Sequence, residues 1–131
     1  MLVDTDVLIW HLRGNAKAQK AIDHQKEFSI SSVTYMEILS CLRDMVEMKN
    51  WKAFLKNRSV HHILIDHDII LKALYWMEEF VLSHQLRMAD ALIAATAETH
   101  GMELLTGNGK DYQYLPGLKI KHFKVQCSDG N

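Results

Sequence analysis

At 131 residues the chain has the length of one domain, and its 48% hydrophobic content suffices for a core without disulfides or structural metal. Sixteen acidic against fifteen basic side chains give a net charge of −1, which excludes coating of nucleic acid by bulk electrostatics. One Pro and six Gly exclude collagen-like and low-complexity chains. The longest stretch free of Asp, Glu, Lys and Arg, at 28–36, has nine residues, too few for a membrane-spanning helix. The acids at Asp4 and Asp6 stand where a signal peptide has a basic head and an apolar block. Cys41 and Cys127 lack metal-type spacing, as expected of a protein of the reducing cytoplasm.

Residues 1–4 read as a strand, 6–12 as a short helix stopping near Arg13-Gly14, and 16–24 as a second helix. A strand around Phe28 and Ile30 stops at Ser31-Ser32. From 33 to 48 the pattern is helical, with Met36, Leu39 and Val46 on one stripe, and Thr34-Tyr35-Met36-Glu37 has the form of a capping box. A short helix follows at 51–57, where Lys49, Lys52, Lys56 and Arg58 read as a solvated face. A strand at 60–65 leads into a helix capped by Asp66 or Asp68 and running to about Gln85.

That helix carries Ile70, Leu74, Met77 and Val81 on one stripe and Ile69, Ala73, Trp76 and Phe80 on another, so it is a central core helix or a dimer face. A helix at 88–100 ends at Gly101, a strand occupies 102–106, and a weak strand lies at 119–125. Alternating strands and helices imply an α/β domain, a parallel sheet of four or five strands between two helix layers. It spans 1–126, with 127–131 as a tail.

In such a sheet each helix starts at the carboxyl edge, where ligands bind. Asp4, Asp6, Glu37, Asp90 and Asp111 fall at that edge, whereas Asp23, Glu27, Glu98 and Glu103 fall at the opposite one. Each edge acid has a plainer explanation: Asp4 and Asp6 suit a helix N-terminus, and Glu37 suits the capping box. Asp90 opens a helix, Met88-Ala89-Asp90-Ala91-Leu92-Ile93-Ala94-Ala95, that is apolar almost all round, so its carboxylate needs a partner. Converging carboxylates are tolerable beside a divalent cation, and oxygen-only donors suit Mg2+ or Mn2+. The eight histidines show no zinc spacing.

Four segments in order resemble PIN-domain ribonucleases of the VapC-like toxin group. They are Leu2-Val3-Asp4-Thr5-Asp6-Val7-Leu8-Ile9, the segment from Ser31 to Leu39 around Glu37, Asp90-Ala91-Leu92-Ile93-Ala94-Ala95-Thr96-Ala97, and the segment from Leu104 to Tyr112. The resemblance covers nearly the whole chain. It implies a PIN-like three-layer fold, cleavage of RNA in a toxin–antitoxin system, a homodimer, and a cognate antitoxin as partner. It also implies that Asp4, Glu37 and Asp90 hold Mg2+ or Mn2+. Asp4 and Asp90 match direct ligands, and Glu37 a ligand or a residue positioning water. The fourth position is either Asp111 or Asn108, where many members carry an acid. Thr5 and Thr106 stand as supporting hydroxyls, and Arg13, Arg87 and Lys110 as phosphate contacts or plain surface charge. Trp10, Trp51 and Phe54 form an antitoxin groove or belong to the core.

Three other readings compete. In a receiver-type phosphoacceptor, Asp66 takes the phosphoryl group and Thr106 is the switch, but Asp90 has no role and only 25 residues follow Thr106. A dehalogenase-like phosphatase fits Asp4-Thr5-Asp6 but lacks the later acids. The third is a catalytically silent PIN-fold binding module.

Overall fold

The structure, a computed structural model, describes residues 1–124. The expected tail at 127–131, Cys127, and the end of the last expected strand at Val125 lie outside the described residues. No helix among the described residues is long and apolar enough to cross a membrane.

The chain runs β1 (Leu2–Val3), α1 (Thr5–Leu12), α2 (Ala16–Asp23), β2 (Ser29–Ser31), α3 (Ser32–Cys41), α4 (Met45–Asn57), β3 (His61–Ile63), α5 (His67–His84), α6 (Met88–Thr99), β4 (Leu104–Thr106), a 3-10 turn (Gly109–Asp111) and β5 (Ile120–His122). Five strands form one sheet in the order β3-β2-β1-β4-β5, every pair parallel. From β1 the chain adds β2 and β3 on one side and then returns to add β4 and β5 on the other. This reversal opens a crevice at the carboxyl ends of β1 and β4, where open α/β sheets hold ligands.

Alternation along two-residue β1 divides the core. Leu2 and Leu104 face one layer, packing with Ile69, Ala73, Trp76 and Ile93 of α5 and α6. Val3, Ile30 and Leu105 face the other, with Val7, Leu8, Ile22, Ile38 and Trp51. Four of the five alanines of α6 (Ala91, Ala94, Ala95 and Ala97) are fully buried. Their short side chains let this helix lie close to the sheet and bring its first turn to the crevice.

Three local expectations are corrected. The helix expected over 33–48 is broken: α3 ends at Cys41, and Asp44 caps α4 by accepting from the Glu47 N–H at 2.9 Å. Arg43 reinforces the new start: its Nε and Nη2 both donate to one carboxylate oxygen of Glu47, and its backbone N–H donates to the other. Local capping outcompetes continuation there, and Met36 and Val46 are exposed rather than on a core stripe. The cap of α3 is Ser31, which accepts from the Val33 N–H, so Thr34 and Glu37 do not form a capping box. Asp66, the receiver reading's phosphoacceptor, is spent on the Ile69 N–H as the cap of α5, beside the edge strand β3 and away from the crevice.

Candidate functional site

Asp4 follows β1 directly and is 4% exposed. One carboxylate oxygen accepts from the Thr5 N–H at 2.8 Å and caps α1; the other accepts from the Thr106 hydroxyl at 2.8 Å. Thr106, buried at the end of β4, also accepts from the Asn108 N–H at 3.0 Å. Its hydroxyl therefore joins the two strands on either side of the crevice. Burial, and then the neighbouring Asp6, push Asp4 up from the ordinary 3.8 to about 7.

Asp6 is half-buried in the first turn of α1 and accepts from the Val7 N–H and, at 2.9 Å, from the Gly107 N–H. Its proton affinity is raised chiefly by burial. Asp6 therefore ties α1 to the loop after β4. A Cβ on Gly107 would stand 2.7 Å from its carboxylate, so glycine is required for that approach.

Asp90 sits in the first turn of α6, but the N-cap is Arg87, which caps with no side-chain bond. Capping therefore does not account for Asp90. Its carboxylate accepts from the Tyr112 hydroxyl at 3.2 Å and meets both Nε and Nη2 of exposed Arg87 at 3.3 Å. The buried Tyr112 hydroxyl also faces Asp4, and burial with these two acids drives its proton affinity sharply up. It stays a donor, bonded to Asp90 and facing Asp4. Sequence reasoning missed Tyr112 because a lone aromatic after a turn reads as core; only the fold brings its hydroxyl to the acids.

Glu37 reaches the crevice from the second turn of α3. It accepts from the Thr5 hydroxyl at 2.6 Å, and Thr5 lies 3.0 Å from the hydroxyl of buried Thr34. The structure thus gathers Asp4, Asp6, Glu37, Asp90, Thr5, Thr106 and Tyr112 at the carboxyl edge. Asp111 is exposed on the 3-10 turn, acting on Arg87 and Tyr114, whereas Asn108 stands beside the Asp6 side of the crevice. Lys110 is exposed on the same turn, and Arg13 lies at the far end of α1 from Asp4.

Among the described residues no three His, Cys, Asp or Glu side chains close into a ready metal-binding group. Thr5 holds Glu37 to one side, and Arg87 and Tyr112 hold Asp90. The donors present are nevertheless all oxygens, around a buried carboxylate whose charge is opposed by burial and by a like charge. That set fits a hard divalent cation.

Two further surfaces adjoin. A groove of about 510 Å³ between α1, α3 and α4 is lined by Ile9, Leu12, Ile38, Leu42 and Trp51, with Arg13 and Arg43 among its lining residues. Trp10 does not share it: this residue lines a separate cleft with Asp6.

The PIN domain family model matches residues 1–117. The chain belongs to the PIN domain family. It is 31% identical over 132 aligned positions to Ribonuclease VapC1 of Rickettsia felis, covering 92% of this chain and 93% of that protein. This places it with the VapC-like members. A toxin–antitoxin complex from Klebsiella pneumoniae contains a chain 31% identical, with a TM-score of 0.67, covering 89% of this chain and 93% of that one. VapBC2 from Rickettsia felis, solved on a DNA fragment from its promoter, matches with a TM-score of 0.78 over 94% of this chain and 98% of that one. Its identity is 16%, so that likeness concerns the fold. PIN-domain membership replaces the receiver and dehalogenase-like readings.

Proposed function

We propose that this protein is a divalent-metal-dependent endoribonuclease and the toxin of a toxin–antitoxin pair. The observation that carries the reading is the convergence of Asp4 and Asp90 on the Tyr112 hydroxyl at the crevice, in a PIN domain 31% identical to a named ribonuclease.

Asp4 and Asp90 would hold Mg2+ or Mn2+, with Glu37 completing the set or orienting the attacking water, and Asp111 at the outer rim as the fourth acid. When bound, the cation supplies Lewis acidity toward the scissile phosphate and activates water. Hydrolysis adds that water to phosphorus and breaks one P–O bond. Tyr112 and Thr106 hold two of the acids in fixed orientation, leaving oxygen lone pairs for the cation. Arg87, three-quarters exposed, is placed to exchange Asp90 for a substrate phosphate once the acid is engaged.

Two surfaces support the expected protein partners. Ile70, Leu71, Leu74 and Tyr75 are each more than half exposed on α5, an apolar area suited to a second copy of the chain. The groove along α1 and α3, apolar with Arg13 and Arg43, suits an amphipathic segment of an antitoxin.

The substitution Asp90→Asn tests the reading. Asn keeps the shape and the bond from Tyr112, and no cap is lost because Asp90 is not the N-cap. The variant is expected to fold with unchanged or higher stability without metal, while cleavage of single-stranded RNA falls by orders of magnitude. A fully active variant contradicts the assignment.

A further inference from the structure

Asp6 and Trp10 are one turn apart on α1 and share its face. The cleft they line, about 460 Å³, is completed by Gly107, Asn108, Phe123 and Lys124. It starts at the acid cluster, since Asp6 is the neighbour of Asp4, and Trp10 lies about 6 Å further along the helix axis. The chain's other two tryptophans, Trp51 and Trp76, are 1% exposed, whereas Trp10 is 38% exposed. The Trp10 indole is thus partly open to solvent in the cleft that begins at the crevice.

The loop beside it is built to present one side chain. Gly107 is held against Asp6, and a Cβ on Gly109 would run into the His122 ring. Both glycines therefore sit at close contacts. Asn108 between them lines the cleft and caps nothing, although it precedes the 3-10 turn; its side chain makes no hydrogen bond among the described residues. Lys124, just beyond β5, supplies a cation.

An exposed indole, a carboxamide without a partner and an ammonium are the groups that recognise a single-stranded nucleotide: a stacking platform, a base-edge reader and a phosphate contact. We infer that this cleft is a nucleotide subsite, in which the RNA base next to the scissile phosphate stacks on Trp10, Asn108 meets its edge and Lys124 takes its phosphate. The inference rests on the ribonuclease reading and extends it to a residue that governs substrate binding. An acidic peptide is disfavoured, because Asp6 forms one wall.

The test uses single-stranded RNA hexanucleotides of each base. In the cleavage assay, Trp10→Ala is expected to raise KM about tenfold with kcat within about twofold, and Trp10→Phe to recover most of the loss. In a second, cleavage-independent measurement, each hexanucleotide is titrated into the Asp90→Asn protein and tryptophan fluorescence is followed. Saturable quenching is expected there, and its loss in Asp90→Asn/Trp10→Phe. Wild type that cleaves RNA while Trp10→Ala has an unchanged KM overturns the subsite and leaves the ribonuclease reading intact. Wild type that cleaves no RNA with Mg2+ or Mn2+ overturns the ribonuclease reading. In that case, absence of Trp10 quenching by every hexanucleotide overturns the subsite as well, and saturable quenching sustains it as a site for single-stranded RNA.

Discussion

A carboxylate held at about 7 by burial, with a second acid beside it, makes Asp4 the point where positive charge is most favoured. The consequence for stability has a definite sign. The folded value lies above the ordinary 3.8, so between these values the folded state binds more protons than the unfolded chain. The contribution is fully present below about pH 4 and is lost as pH rises through 7. Metal-free protein in EDTA is therefore expected to be less stable at pH 8 than at pH 5. Asp4→Asn keeps an oxygen for the Thr5 N–H and lets its amide donate to Thr106. It is expected to flatten the dependence and raise stability at pH 8. Urea denaturation at the two pH values checks this, and an unchanged slope in Asp4→Asn refutes it.

Among the elements, α6 matters most for placing the site, because its alanine face fixes how closely Asp90 approaches Asp4. Ala94 is fully buried, so Ala94→Leu overpacks the contact with the sheet. The expected cost is about 1–3 kcal/mol in urea denaturation, with reduced cleavage because Asp90 is displaced. An enzyme of wild-type stability would show that the close approach is not needed. The burial of this helix was legible from its apolar sequence, and the carboxyl-edge position of the acids followed from strand–helix alternation. The break between α3 and α4 was not legible: the apolar spacing continues across it, and only the Asp44 cap and the Arg43–Glu47 bond decide against one helix. Likewise the role of Glu37 shifted from a local cap to a bond with Thr5, a partner 32 positions away that periodicity cannot reveal.

For the whole molecule, α5 divides its two apolar stripes between two tasks. Ile69, Ala73 and Trp76 are buried in the core, whereas Ile70 and Leu74 remain about half exposed. Core helix and dimer face were alternatives in the sequence; the structure buries the stripe of Ile69, Ala73 and Trp76, packs Met77 of the other stripe against the core, and leaves Ile70, Leu74 and Val81 exposed. Leu74→Glu removes no core contact, so it is expected to leave the melting temperature of the isolated fold nearly unchanged while converting a dimer to a monomer in light scattering. A wild-type protein that is monomeric at high micromolar concentration contradicts the dimer.

The central claim, that these carboxylates act through a divalent cation on RNA, is tested most directly by cleavage of single-stranded RNA by the purified protein in EDTA, followed by addition of Mn2+ or Mg2+. The account predicts no cleavage in EDTA and restored cleavage with either ion, with Zn2+ a poor substitute for an all-oxygen site. Cleavage that proceeds undiminished in EDTA would contradict it.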